Sequence, residues 1–368
     1  MAYKINKRRY VQNSPRIKTI IHWCDLPDNK VIILKPEFQR RLLTFFHTSL
    51  EYGQKKKVAR KLGLTTSQLR ALSRLQSNFS VGSLKRIGTM ARVPLRTIER
   101  NIVGFGRKRV INNPRFPFDM GSKDGVALRS IMNSEGHISE QVGRSVMIRV
   151  PEVDMLEKAI NISKRLFGEF DIAIKKTKDN DVTYEIFLPG EIGDILLLSG
   201  LTRGRKSVKN PYVPRDIMTG SLQKKRTYLQ WSIVSEMECT RNSKVLKLTR
   251  HVNISKRISH SFIKTLKDGA TFKKDIPDNI LRNLSRFPPN LLVGESLLLK
   301  DFNIVRDCYI GGLWKYKNGD VGAFWRIAIT KREETERLFN QIGIVLPEKR
   351  EKVKKLLLSY VRHPMQIS

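Results

Sequence analysis

The feature that most constrains the fold is a repetition of two apolar helical segments, each ending in Ser-Glu. They are Ala127–Glu135 and Leu229–Glu236, and their last glutamates lie 101 positions apart (236 minus 135). A carboxylate is unfavourable at a helix C-terminus because the helix dipole is already negative there. Since both segments nevertheless end in one, the pattern predicts two copies of a domain-sized unit.

The chain after the first segment has an order of strands and helices that returns after the second. The second copy continues with a strand at Lys244–Thr249, a helical segment at Asn290–Phe302 and a hairpin at Tyr309–Ile329. The hairpin turns at Asn318-Gly319, and Asn-Gly is the strongest short hairpin signal. This repeated order predicts an α+β fold built from two similar units.

The two glutamates form a candidate metal site. If the two apolar helices pack side by side as a pseudo-dimer, Glu135 and Glu236 meet at one end. Converging carboxylates raise each other's pKa unless a cation lies between them. Mg²⁺ prefers such oxygen ligands, so we expect both residues to hold Mg²⁺ or Mn²⁺. Two alternatives remain: that both glutamates are ordinary exposed helix ends, and that Glu238 rather than Glu236 takes the acidic position.

The charge of the chain indicates its partner. It has 70 Lys and Arg against 34 Asp and Glu, a formal net charge of +36 over 368 residues. With 40% hydrophobic residues the chain has enough apolar material to fold. A folded protein with this surplus is typical of a polyanion binder, with nucleic acid the first candidate and an acidic membrane surface the second. The first 120 residues are the more densely basic part, with 26 basic and 6 acidic residues.

This basic part has a helix-turn-helix pattern. Helices are predicted at Glu37–Tyr52, Gln54–Leu62 and Ser67–Leu75, then a second helical pair over 81–103 and a linker over 104–117. In such a motif the last helix reads the major groove and the preceding basic residues meet phosphates. The alternative is that these helices only pack on each other and that their basic side chains are exposed to solvent without binding DNA. The residues predicted to contact DNA are Lys55, Lys56, Lys57, Arg60, Gln68 and Arg70, together with Arg203, Arg205 and Lys206 of a basic loop.

The cysteines and the apolar segments indicate the cellular compartment of the protein. Cys24, Cys239 and Cys308 are far apart and have no C-x-x-C spacing, which argues against a zinc site and a disulfide framework. The basic N-terminus is followed by no apolar signal segment, and no window approaches the ~18 apolar residues of a membrane span. We expect a cytoplasmic, nucleoid-associated monomer that is neither secreted nor membrane-bound.

The residues around both glutamates resemble the LAGLIDADG homing endonucleases, of the monomeric two-motif kind related to intein endonucleases, with an appended helix-turn-helix. The first motif, Leu128–Ile138, matches in its final acid and in the glycine that follows it. The second, Leu229–Met237, keeps the acid and lacks the glycine. Similar segments lie at Gly200–Ser207 and Trp325–Ile329, so the resemblance spans roughly residues 110–360.

The resemblance implies two pseudo-symmetric αββαββα units whose motif helices form the central interface and whose sheets form a saddle on DNA. With the basic region, this predicts three domains. They are a helix-turn-helix-like DNA-binding region at residues 1–110 and LAGLIDADG-type repeats at 111–220 and 221–368.

The resemblance also implies an activity, the metal-dependent cleavage of both strands of a long, asymmetric double-stranded DNA site. It makes Glu135 and Glu236 metal ligands and catalytic residues, and it implies a lysine near each scissile phosphate. Lys331 is the candidate in the second repeat. Lys175 or Lys176 is a poorer match in the first.

The second motif departs from the family pattern. Trp231 stands where the first copy has Ser130, and Met237 stands where it has Gly136. Either the copies pack asymmetrically or the second motif has decayed.

The main hypothesis from the resemblance is a homing-type DNA endonuclease connected with intron or intein mobility. The alternatives are a catalytically inactive DNA-binding regulator and an RNA-splicing maturase.

Overall fold

A computed structural model describes residues 6–48, 52–141, 146–179, 181–240 and 244–360. The described chain divides into two compact units. Unit A holds residues 6–17, 126–137, 200–240 and 244–360, and unit B holds most of the rest, residues 18–125 and 138–199. Both helices that end in Ser-Glu contribute their last turns to unit A.

The first part of the chain consists of short helices and strands. In chain order they are α1 (Lys7–Asn13), β1 (Ile20–Ile21), β2 (Val31–Leu34), α2 (Pro36–Thr48), α3 (Tyr52–Lys61), α4 (Thr66–Ser73), β3 (Phe79–Ser80), α5 (Val81–Met90), α6 (Leu95–Glu99), β4 (Ile102–Phe105), β5 (Ile111–Asn112) and β6 (Phe118–Asp119). Helices α2 to α5 lie where the sequence predicts them, although residues 49–51 of the first predicted helix are outside the described residues. The first part of the chain is mainly helical, as expected.

The turn between α3 and α4 shows why this segment folds locally. Gly63 has a φ of +66°, a left-handed conformation that glycine adopts without strain. Two residues on, a capping box starts α4: the Thr65 hydroxyl accepts from the Gln68 N–H at 3.1 Å, and Gln68 Oε1 accepts from the Thr65 N–H at 2.8 Å. The Gln68 side chain, predicted to face DNA bases, is thus engaged at the helix start.

The linker predicted over residues 104–117 is wrong, because this segment takes part in a sheet of strand order β3-β2-β4-β5. Ile32 of β2 pairs with Phe105, which also pairs with Ile111, and all three side chains are buried. For the same reason the second predicted helical pair ends at Glu99 rather than at residue 103. The partner strand lies far upstream, so the local Gly, Pro and basic residues gave no sign of the pairing.

The next part of the chain forms the first repeat. Its elements are α7 (Lys123–Ser134), β7 (Gly136–Ile138), β8 (Val146–Val150), α8 (Val153–Phe167), β9 (Ala173–Asp179), β10 (Asp181–Leu188) and α9 (Gly190–Leu198). Two short helices follow, α10 (Lys206–Lys209) and α11 (Arg215–Met218). The strand order in the sheet is β7-β8-β10-β9.

The second repeat has the same plan with an insertion. Its elements are α12 (Leu222–Glu236), β11 (Met237–Thr240), β12 (Val245–Asn253), α13 (His260–Thr265), β13 (Gly269–Phe272), α14 (Asp278–Leu284), α15 (Asn290–Lys300), β14 (Tyr309–Lys315), β15 (Val321–Ile329), α16 (Arg332–Arg337), the π-helix Leu338–Ile342 and α17 (Pro347–Ser359). The strand order is β11-β12-β15-β14-β13.

The two sheets therefore share one topology. In each, the first strand pairs with the second, the second with the fourth and the fourth with the third. The fifth strand, β13, comes from the insertion between β12 and α15, which the sequence pattern did not reveal. The predicted α+β fold with two αββαββα units is confirmed. The arrangement of the sheets as a saddle on DNA stays a prediction.

Local sequence explains why the second hairpin forms where predicted. Gly319 closes the turn with a φ of +84°, and Tyr316 N–H donates to the Asp320 carbonyl at 2.8 Å. Trp325 lies buried at the centre of β15.

In the described part of the chain, no helix combines the length and apolar character that a membrane crossing requires.

Candidate active site

The two motif helices lie side by side within unit A. The Ser130 hydroxyl of α7 donates to the Tyr228 carbonyl of α12 at 2.7 Å, and Asn133 Nδ2 donates to Tyr228 Oη at 3.1 Å. All three residues are buried. The small Ser130 side chain allows this close backbone approach. Trp231, the bulky residue at the matching position of α12, is only 7% exposed, so the helices pack asymmetrically.

This packing brings Glu135 and Glu236 together. Glu135 directly follows the last residue of α7, and Glu236 is the last residue of α12. Burial, and then the negative charge of Glu236, raise the pKa of Glu135 to about 7. Burial also raises the pKa of Glu236. Glu135 thus lies near enough to Glu236 for its pKa to respond to that charge, while the role of both residues as metal ligands stays a prediction.

Arg250 of β12 is the centre of the site, and the sequence analysis missed it. Its Nη1 donates to Glu236 Oε1 at 2.6 Å, and its Nη2 and Nε donate to the carboxylate of Glu295. Burial alone would lower the pKa of Arg250, but the charges of Glu236 and Glu295 hold it above its ordinary value.

Arg250 also connects the ends of both motif helices. Its Nη2 donates to the hydroxyl of Ser134 at 3.0 Å and to that of Ser232 at 3.1 Å. A sequence signal for it exists in the alternation of β12, where Leu246 and Leu248 are buried and Arg250 occupies the next inward position. A charged residue at an inward strand position needs a buried partner.

Two lysines cap the motif helices in parallel ways. Lys206 Nζ donates to the carbonyls of Met132, at 3.3 Å, and Ser134 at the end of α7. Lys349 Nζ donates to the Val234 carbonyl near the end of α12. Cations stabilise helix C-termini, where carbonyls lack partners within the helix. Each lysine also lowers the pKa of both glutamates, although burial dominates both shifts.

Burial, followed by the charge of Arg250, lowers the pKa of Lys206 to about 8. Lys206 was predicted to contact DNA from a surface loop. The structure places it in a pocket of about 190 Å³ that also contains Glu236. The pocket combines charges of both signs, and its lining residues are Asn133, Ser134, Lys206, Ser207, Asn210, Pro211, Glu236, Arg250, His251, Pro289 and Leu291.

The oxygen atoms at the site fit a hard divalent ion. Within the described residues, Glu236 Oε2 and both carboxylate oxygens of Glu135 have no hydrogen-bonding partner. No group of three or more Asp, Glu, His or Cys residues in this part of the chain is arranged to hold a metal. Mg²⁺ is commonly bound through one or two carboxylates while water and phosphate complete its shell. Glu135 and Glu236 are therefore the residues that would hold Mg²⁺ or Mn²⁺.

Other predicted catalytic candidates lie elsewhere. Lys331 is exposed at the residue before α16, and it is not among the charges that shift the pKa values of the two glutamates. The cations that do lower these pKa values are Lys206, Arg250 and Lys349. Glu238, the rival of Glu236, is exposed on β11. The structure thus brings Glu135 and Glu236 together and leaves Lys331 apart from the charges around them.

The predicted DNA-contacting residues of α3 and α4 are mostly on the surface. Lys56, Lys57 and Arg60 are exposed on α3, and Arg70 is exposed on α4. The side chain of Lys55 lies outside what the structure describes. In the loop before α10, Arg205 is exposed and Arg203 is half-buried. Their contacts with DNA stay predictions.

Comparison with known proteins finds no matching family model and no matching curated protein. Among solved structures, the crystal structure of I-DmoI in complex with DNA and Ca matches with a TM-score of 0.32 and 8% identity, covering 66% of this chain and 99% of that chain. An I-DmoI variant in complex with its target DNA in the presence of Mn matches with a TM-score of 0.33 and 8% identity, covering 61% and 95%. The homing endonuclease I-WcaI bound to its DNA recognition sequence matches with a TM-score of 0.33 and 12% identity, covering 63% and 86%.

Proposed function

We propose that this chain is a site-specific, metal-dependent endonuclease of homing type that cleaves double-stranded DNA. The observation that carries the proposal is the convergence of Glu135 and Glu236 at the ends of two packed helices, with the pKa of Glu135 raised to about 7. A carboxylate pair that repels itself in a basic pocket favours a bound cation.

In this proposal Glu135 and Glu236 hold Mg²⁺ or Mn²⁺. Such an ion would activate water and stabilise the leaving oxygen of a phosphodiester. Arg250 orients Glu236 by its 2.6 Å contact and fixes it against the end of α7 through Ser134. Lys206 and Lys349 hold the helix ends, and Lys206 presents a positive charge to a phosphate in the pocket.

The remaining parts of the proposal concern the DNA. Residues 1–110 are proposed to add contacts through α3 and α4, and residues 111–220 and 221–368 to act as the two repeats of one monomer. Because the repeats differ in sequence and in the insertion, the recognised site would be long and asymmetric. Binding to DNA would place the protein at the nucleoid. Lys331 is kept as a second-repeat lysine that approaches phosphate only in the DNA complex.

A cleavage selection tests the proposal. The full chain is incubated with a plasmid library carrying random inserts, with Mg²⁺ or Mn²⁺, and linear products are sequenced. We expect cleavage at a defined set of sites, and a loss of about two orders of magnitude or more in Glu135→Gln and Glu236→Gln. Glu238→Gln is the matched control, because Glu238 is exposed two residues further along, and it should cut at the wild-type rate.

Two outcomes would contradict this assignment. If Glu238→Gln abolishes cleavage and Glu236→Gln does not, the acidic ligand is Glu238. If no DNA is cut with either metal although the library is bound, the endonuclease proposal fails.

A second candidate, a DNA-binding regulator without catalysis, is favoured by one contact. Arg250 forms an ion pair with Glu236 and occupies one of its oxygens, whereas Glu135 has no such ion pair among the described residues. Calorimetric titration of the protein with Mn²⁺ separates the candidates. Binding that disappears in Glu135→Gln and in Glu236→Gln supports the endonuclease, whereas no binding in the wild type supports the regulator.

A further inference from the structure

The first helix, α1, belongs to unit A, whereas the basic helices α2 to α6 that follow it belong to unit B. An ion pair fixes the start of α1, because Lys7 Nζ lies 2.8 Å from the carboxylate of Asp301, the residue directly after α15. Lys225 of the motif helix α12 binds the same carboxylate at 2.9 Å. Helix α1 is therefore fastened to the helix that ends in Glu236.

Tyr10 is the buried residue of α1. Its ring packs against that of Tyr212, with centroids 5.2 Å apart. Its hydroxyl donates to the Asn290 carbonyl at 2.7 Å and accepts from the Val213 N–H at 3.0 Å. A Cβ atom on Gly294 would lie 2.4 Å from this hydroxyl oxygen, so the glycine leaves room for it. One hydroxyl thus joins the first residue of α15 to the loop between α10 and α11.

Asn210 continues the connection from Asn290 to α10. It has a φ of +47°, a left-handed conformation that costs a residue with a side chain free energy unless its surroundings hold it. Two hydrogen bonds join the asparagines: the Asn290 N–H donates to Asn210 Oδ1 and Asn290 Nδ2 donates to the Asn210 carbonyl, both at 2.7 Å. Asn210 also ends α10, where its N–H donates to the Lys206 carbonyl at 2.8 Å. Hydrogen bonds therefore lead from Tyr10 through both asparagines to Lys206.

Lys206 is the residue that these contacts reach at the candidate active site. Its ammonium donates to the carbonyls of Met132 and Ser134 at the end of α7, and Asn210 lines the same pocket. A lysine side chain is long and flexible, so its ammonium stays in one place only if the backbone that carries it is fixed. Helix α10 has four residues, which is too short for a stable helix by itself. Contacts from outside α10 must hold it.

We propose that Tyr10 and Asn210 are positioning residues that hold Lys206 at the end of α7. Helix α1 is then part of the scaffold of the candidate active site. The proposal rests on the proposed function for the role of Lys206 as a positive charge that faces a phosphate. The placement of the ammonium requires neither DNA nor a metal, so it can be measured without them.

Competitive acetylation of the full chain, in EDTA and without DNA, tests this placement. Mass spectrometry compares the rate at Lys206 with the rate at Lys349, which caps the other motif helix from α17. Tyr10→Phe keeps the ring and removes the hydroxyl. It should raise acetylation of Lys206 about three- to tenfold, the effect of one lost hydrogen bond on a local opening equilibrium. The rate at Lys349 should change less than about twofold.

Tyr360→Phe is the matched control. It removes a hydroxyl that also has two partners in unit A, the carbonyls of Lys244 and Thr330. It should leave the acetylation of Lys206 unchanged, and similar melting temperatures of the two tyrosine variants would show that the effect of Tyr10→Phe is local.

Asn210→Gly is an independent second variant. Glycine adopts a φ of +47° without strain, so the turn is kept while the side-chain contacts of Asn210 are lost. It should expose Lys206 to acetylation by a factor similar to that of Tyr10→Phe.

Two acetylation results would overturn the proposal. If Lys206 and Lys349 become reactive together in Tyr10→Phe, the hydroxyl stabilises unit A as a whole and positions nothing. If neither Tyr10→Phe nor Asn210→Gly changes the rate at Lys206, α10 is held in place without these contacts.

The cleavage assay gives a separate readout. Tyr10→Phe should cut DNA more slowly by about the factor seen in acetylation, and Tyr360→Phe should cut at the wild-type rate. Wild-type cutting by Tyr10→Phe, with Lys206 exposed, would overturn the link between its placement and the reaction. If the wild type cuts no DNA, the proposed function fails, whereas the acetylation result still decides whether Tyr10 and Asn210 hold Lys206.

Discussion

The two repeats share their topology but differ in how they treat the glutamate at the end of the motif helix. In the first, Glu135 has no ion-pair or hydrogen-bonding partner within the described residues, and its pKa is raised to about 7. In the second, Glu236 is bound by Arg250 at 2.6 Å, and Arg250 is itself held by Glu295. The first glutamate thus feels its neighbouring cations only at a distance, whereas the second is in direct contact with an arginine.

The difference shows that a symmetric backbone does not require a symmetric site. Gly136 follows Glu135 in a crowded place, where a Cβ atom would lie 2.6 Å from the Cα of Met132. Met237 follows Glu236 and is accommodated in the core. The second motif thus packs larger side chains and a buried arginine around its glutamate, and the surroundings of the two glutamates differ.

The largest expected effect on the free energy of unfolding concerns Arg250 in the second repeat. Arg250→Met would leave Glu236 and Glu295 without their cation, and removing one partner from a buried ion network costs about 3–5 kcal/mol of unfolding free energy. Urea unfolding measures the loss. Arg165→Met in the first repeat is the comparison, because Arg165 and its partner Asp124 are 53% and 30% exposed, and it should cost about 1 kcal/mol or less. Equal costs would show that the second repeat is not specially dependent on its arginine.

The second-largest expected effect concerns Glu135 in the first repeat. Because the folded pKa of Glu135 lies above its unfolded value, the wild type should lose stability as pH rises from about 4.5 to about 7, where the carboxyl ionises. Glu135→Gln should therefore match the wild type at pH 4 and exceed it by about 1–3 kcal/mol at pH 8. Urea unfolding at both pH values checks this. Mn²⁺ at pH 8 should raise the melting temperature of the wild type only.

Glu236→Gln provides the contrast to that experiment. Burial also raises the pKa of Glu236, so removing its charge favours folding at pH 8, but the substitution at the same time breaks the ion pair with Arg250, and the net gain should be smaller than that of Glu135→Gln. A gain of similar size in both variants would show that Arg250 does not compensate Glu236, and the distinction between the repeats would disappear.

A smaller effect is expected from the crowded glycine. Gly136→Ala should cost about 1–3 kcal/mol, because the added methyl group meets the backbone of Met132. Thermal unfolding of this variant beside the wild type is sufficient. A neutral substitution would mean that the first repeat tolerates a side chain here, as the second repeat tolerates Met237.

The smallest effect tests the feature that the repeats share. Lys206→Met and Lys349→Met each remove a cation from a motif-helix C-terminus, and each should cost about 0.5–1 kcal/mol. Losses that agree within about 0.5 kcal/mol would support parallel capping roles. A much larger loss for one lysine would extend the asymmetry of the glutamates to the helix caps.

Part of this architecture was predictable from local patterns. The apolar helices ending in Ser-Glu, the hairpin at Asn318-Gly319 and the helices α3 and α4 all follow from periodicity, turn residues and caps, which act over a few neighbouring positions. The sheet that includes β4 and β5 was missed because its partner, β2, is distant in sequence. The added strand β13 was missed because it lies in an insertion, and the order of elements in the first repeat has no counterpart for it.

The sequence by itself determined the repeated α+β order, the surplus of positive charge and the presence of a glutamate at the end of each motif helix, because helical periodicity and a helix-end acid are local properties. Only the tertiary structure decided which cations surround those glutamates. Lys206, Arg250 and Lys349 come from three segments far apart in the chain, and burial gives each contact its strength by removing water. The second sheet gives another example, because strand register alone aligns His251, Phe324 and Phe272 on one face.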